Sequence, residues 1–77
     1  MRVRVKVFGH LRRFLPDRAE TATLELDAGT TVDGLIRSRS IPDEEVWVVT
    51  CNGARVEGAH VLHDGDEVCV FSPVGGG

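Results

Sequence analysis

The chain has 77 residues, nine Lys and Arg against twelve Asp and Glu, a net charge of −3, and 42% hydrophobic residues. That length makes one domain near the lower limit for folding without staples, and the apolar share is too high for a disordered chain. The negative charge argues against a nucleic-acid binder, and no apolar run approaches the ~20 residues that span a bilayer.

Strand-like sequence begins at once, leaving no room for a signal peptide, so the expected location is the cytoplasm. Cys51 and Cys69 match no metal spacing and read as free thiols in a reducing compartment. Arg2–Phe8, "RVRVKVF", alternates with a period of two. Val3, Val5 and Val7 take one face, and Arg2, Arg4, Lys6 and Phe8 the other.

"GHLRRFLPDRAE" follows as a loop bounded by Gly9 and Pro16-Asp17, with Leu11, Phe14 and Leu15 folding it over an edge of the core. Arg12, Arg13 and Arg18 gather in this loop beside the cations of the preceding strand. The cluster reads either as a solvated face balanced by acids elsewhere or as an electrostatic docking surface. "TATLELDAG", Thr21–Gly29, is a second strand with Leu24 and Leu26 inward, and it pairs antiparallel with the first.

"TTVDGLIRSRS" carries helix signals. Thr30 or Thr31 caps the start, Asp33 suits the positive end of the dipole, and Val32, Leu35 and Ile36 form one stripe. Gly34 weakens the helix, which fits a short helix or close packing against the sheet. Pro42 ends it by about Ser40, and Pro42–Glu45 forms one further turn. "VWVVTCNG" is a strand stopped by the Asn52-Gly53 turn; Trp47 fits either an inward or an edge position. A short segment, "ARVEGAHVL", leads to the turn "HDGD", and "EVCVFS" is the last strand, with Val68 and Val70 inward and Cys69 and Phe71 outward.

One helix among these strands must cover one face of a mixed four- to five-stranded sheet, an α+β fold. The expected core is Val3, Val5, Val7, Leu24, Leu26, Val32, Leu35, Ile36, Val49, Cys51, Leu62, Val68 and Val70. Enzyme templates fail: there is no GxSxG, P-loop or dinucleotide fingerprint. His60 and His63 stand in "HVLHDGD" without a second ligand cluster, so no metal site is expected. No helix start or base activates Cys69, and Cys51 reads as core.

What remains is the end, "SPVGGG". Pro73 stiffens the exit from the last strand. Val74 and Gly75-Gly76-Gly77 then read as a thread without bulky side chains, narrow enough to carry a carboxylate into another protein's active site. The domain is expected to span 1–72, with a flexible tail at 73–77.

Together, "VFGHLRR", "GTTVDGLI" and "LHDGDEVCVFSPVGGG" resemble the MoaD/ThiS group of ubiquitin-like β-grasp sulfur carriers. Ser72 replaces the first of two prolines in the family pattern and Gly75 fills a variable position, without shifting the register of Gly76-Gly77. The resemblance implies that Gly77, preceded by Gly76, is adenylated by an ATP-using partner related to ubiquitin-activating enzymes. A sulfurtransferase or other persulfide donor then supplies the sulfur of a terminal thiocarboxylate. The protein itself is a carrier or co-substrate, not an enzyme, and binds no cofactor or metal.

The same resemblance puts the last strand between the first and third, so outward Phe71 and Cys69 neighbour Phe8, with Arg12 and Arg13 flanking a docking patch for partners. The loop after the first strand is closer to the small subunit of molybdopterin synthase than to thiamin carriers. That implies the synthase large subunit as sulfur acceptor, in molybdopterin or tungsten-pterin synthesis. A thiazole sulfur carrier, a modifier joined to lysines through Gly77 and a plain interaction module are the alternatives.

Overall fold

The computed structural model describes residues 1–73. Of the expected tail, Pro73 lies among them, while Val74, Gly75, Gly76 and Gly77 lie outside the described residues.

The alternating opening forms strand β1, Arg2–Val7, and Thr21–Glu25 forms β2. They pair antiparallel, with Val3 opposite Leu24 and Val5 opposite Ala22. β2 stops four residues short of Gly29 because Asp27–Thr30 closes a turn, with Thr30 N–H bonded to Asp27 O and Gly29 at φ 88°. Between the strands, the expected loop is folded into 3-10 helices at Gly9–Phe14 and Pro16–Arg18.

Helix α1, Val32–Ser38, is capped by Thr31, whose Oγ1 accepts the Gly34 N–H at 3.1 Å. Thr30 uses its hydroxyl on Asp27 O instead. A side chain at Gly34 would press on the Thr30 methyl group rather than on the sheet, so the glycine fits the short helix and its turn. Ile41 N–H bonds back to Ile36 O, and a 3-10 turn at Asp43–Glu45 leads into β3, Val48–Cys51. Asn52 (φ 53°) and Gly53 (φ 87°) turn the chain into β4, Ala54–Val56. Two consecutive positive φ angles are the requirement that Asn-Gly meets at least cost.

β5, Glu67–Phe71, completes a sheet of order β2-β1-β5-β3-β4. It runs parallel to β1 and antiparallel to β3. A single helix across a mixed five-stranded sheet is the β-grasp architecture that the sequence led us to expect.

The inward valines at 3, 5, 7, 68 and 70 are at most 1% exposed and pack with Val32, Leu35 and Leu62. Burying one such side chain contributes ~1.5–3 kcal/mol. Leu26, expected in the core, is partly buried against it. Leu11, Leu15 and Ile41 join the core from irregular segments where no period marks them. Trp47, expected inward or at an edge, stands just before β3 and is 66% exposed.

Candidate functional site

The helix covers one face of the sheet and leaves the other open to solvent. On that open face, strand alternation brings three expected partner-binding residues together. Val7 points inward, so Phe8 emerges outward at the end of β1; Phe71 and Cys69 do the same on β5. The Phe8 and Phe71 rings stack with centroids 4.7 Å apart and planes 10° from parallel. Phe71 lies opposite Val48, while Cys69 sits between Lys6 and Thr50 on the flanking strands.

Both rings are half-buried, so they remain available to a partner while already ordered against each other. That ordering lowers the entropy a partner must remove on docking. The position is set by backbone pairing, since Trp47 N–H donates to Phe71 O at 2.7 Å and fixes the last turn of β5 against the entry to β3. Pro73 is two residues further on and exposed.

Lys6 contributes what the sequence reading did not assign. Its Nζ stands 5.4 Å from the Phe8 ring centroid, a cation over an aromatic face. The signal was present in the alternation, which puts residues two apart on one face of a strand. The cation held over the Phe8 ring is Lys6, while Arg12 and Arg13, expected to flank the patch, bond to other groups. Arg13 bonds Glu45 at 2.9 Å and lies over Phe14, and Arg12 turns its Nε to Arg18 O at 3.2 Å. Glu45 also accepts from His10 Nε2 at 2.7 Å, so this acid ties the first loop to the segment preceding β3. Arg13 thus braces the rim of the face through Glu45.

Two strand cations have acidic neighbours: Arg2 meets Glu25 at 2.8 Å, and Arg4 lies 3.9 Å from Glu67. This is the balanced, solvated arrangement, and such exposed pairs add little stability. On the helix side, a shallow groove opens between α1 and β3–β4, bordered by Trp47, Asp33 and Arg55. It lies on the opposite side of the sheet from Phe8 and Phe71. No helix among the described residues is long and apolar enough to cross a membrane.

Residues 5–77 match the model of the ThiS family. A Pyrococcus furiosus structure carrying the name molybdopterin converting factor, subunit 1, is 29% identical, covers 95% of this chain and 98% of its own, and superposes with a TM-score of 0.76. Small archaeal modifier protein 1 from Haloferax volcanii matches at 21% identity over 94% of this chain and 97% of its own, with a TM-score of 0.72. A chain from the complex of subunits 1 and 2 of the Helicobacter pylori molybdopterin-converting factor matches at 21% identity, full coverage of both chains and a TM-score of 0.63. The last two likenesses bear on the fold alone. No curated protein matches the chain by sequence.

Proposed function

The chain belongs to the ThiS family of ubiquitin-like sulfur carriers and modifiers, and on that footing we propose that it carries sulfur on Gly77 for the building of a molybdopterin or tungsten-pterin cofactor. The observation that carries this reading is the family match running through residue 77, which takes in the whole of "SPVGGG".

The chemistry follows from the reactivity of a carboxylate. The Gly77 carboxylate is a poor electrophile. An adenylyltransferase partner joins it to the α-phosphate of ATP and expels pyrophosphate. The terminal sulfur of a donor persulfide then attacks the acyl carbon and AMP leaves. A second thiol cleaves the resulting disulfide, and the thiocarboxylate stays on Gly77. No side chain of this protein need act as acid, base or nucleophile.

Docking falls to the face built from Phe8, Phe71, Cys69 and Lys6, beside the end of β5. The 29% identical Pyrococcus protein favours the pterin pathway over thiazole synthesis. A synthase large subunit is the acceptor that this reading requires.

Intact-mass measurement on protein isolated from its native host tests the reading. One oxygen exchanged for sulfur at Gly77 is the expected result, with sulfur discharged by a pterin-synthase large subunit. Discharge by a thiazole synthase instead moves the protein to thiamin synthesis. Recovery of unmodified carboxylate together with lysine-linked conjugates overturns the carrier reading in favour of a protein modifier.

A further inference from the structure

Three side chains from separate segments meet at the opposite end of β5 from Phe71: Cys51 at the end of β3, His60 in the connection after β4, and Asp66 just before β5. One ligand atom from each, Cys51 Sγ, an imidazole nitrogen and a carboxylate oxygen, lie within 4.8 Å of one another. We propose that Cys51, His60 and Asp66 bind one divalent transition-metal ion of the zinc class, with water in the fourth position. The inference is independent of sulfur transfer at Gly77.

The donor set selects the metal. Thiolate, imidazole and carboxylate together suit zinc and its neighbours, whereas magnesium and calcium require oxygen ligands throughout. Zinc bonds of about 2.0–2.3 Å in tetrahedral geometry put ligand atoms roughly 3.3–3.7 Å apart. The present spacing, within 4.8 Å, is at most about an ångström wider than that.

The backbones are already pinned. Cys51 is in register with Ala54 and Val68 on its two neighbouring strands. His60 accepts from Val32 N–H and donates its own N–H to Glu57 O, each at 3.0 Å. Asp66 is oriented by two outer bonds, accepting from Asn52 Nδ2 at 2.9 Å and from His63 N–H at 2.8 Å. Asn52 is held in turn by the Glu67 N–H at 2.9 Å. Bonds of this kind aim a liganding carboxylate and set its basicity.

Exposure and charge agree with the assignment. Cys51 is 7% exposed, Asp66 half-buried and His60 exposed. An ion entering past the imidazole thus reaches a thiol at the floor of the site. Binding replaces the S–H bond with a metal–sulfur bond and releases the proton to solvent, with no change of oxidation state. The ion's two positive charges are then met by one thiolate and one carboxylate, with a neutral imidazole completing the protein ligands.

Cobalt(II) titration of the tag-free full chain, carrying Cys69→Ser to remove the other thiol, tests the site. The expected result is one cobalt per chain, a near-ultraviolet thiolate-to-cobalt band, visible bands of tetrahedral intensity, and displacement by zinc. Cys51→Ser should abolish the thiolate band. His60→Ala, at an exposed position with its backbone bonds retained, should weaken binding by more than the ~10–100-fold that outer partners typically cost. If Cys51→Ser fails to fold, His60→Ala decides the matter alone. No thiolate band in the parent protein, or unchanged cobalt affinity in His60→Ala, overturns the proposal.

Discussion

Removing the Phe8 and Phe71 rings singly and together measures how firmly the docking face is built into the fold. At a centroid separation of 4.7 Å, nearly parallel, the pair should contribute ~0.5–1.5 kcal/mol beyond its buried area. Each ring is mostly buried, so alanine also forfeits roughly two-thirds, about 2 kcal/mol, of the ~3 kcal/mol that a fully buried phenylalanine supplies. The two contributions put each single variant at about 3 kcal/mol. The stack is lost once in either case, so Phe8→Ala with Phe71→Ala should cost about 5 kcal/mol, not the sum of about 6. Urea unfolding of the four proteins supplies the cycle, and thermal melting checks it at roughly 4–8 °C per kcal/mol for a domain of this size. Additivity to within ~0.3 kcal/mol would refute the claim that the rings are coupled. The same four proteins, assayed for binding to the adenylating partner, should lose affinity in both single variants, since each removes one half of the preordered surface.

Leu11→Ala should destabilise the protein by ~2–5 kcal/mol despite its place between two strands, because its side chain is fully buried; a loss under ~1 kcal/mol in denaturant melts would show that the 3-10 segment is not part of the core. Arg18→Gly should raise stability by about 1 kcal/mol, since Arg18 sits at φ 53° directly after Asp17 at φ 58°, where an L side chain is strained; an unchanged or lowered urea midpoint would count against that strain.

Regular repetition decided what could be read from the chain. The valines of β1 and β5 announced both strands and their buried face, and Asn52-Gly53 announced the hairpin into β4. Leu11, Leu15 and Ile41 escaped because they reach the core from 3-10 and turn segments, where neither a period of two nor one of 3.6 applies. β3 begins at Val48, later than its apolar run suggests, because the Asp43–Glu45 turn takes up the approach. The Phe8–Phe71 contact was legible once strand order was assumed from the family resemblance, as alternation then forces both rings to one face. The partners of Arg12 and Arg13 were not, since long side chains settle on whichever acid or carbonyl the tertiary fold brings near. His60 shows the same limit: its neighbours Cys51 and Asp66 arrive through strand pairing, which local spacing does not encode.

The parallel pairing of β1 with β5 also governs when the molecule comes into being. Arg4 meets Glu67 and Val7 meets Val70, so the middle of the sheet joins the first strand to the last. Closing so long a loop costs entropy before its contacts repay it, and chains dominated by such pairings fold more slowly than those built from local contacts. The β1–β2 hairpin and α1 can form early, but neither contains both halves of the Phe8–Phe71 stack. The stack appears with the final closure. Under the proposed function, a partner docking on it would select chains whose folding is finished and pass over partly folded ones before any ATP is spent on them.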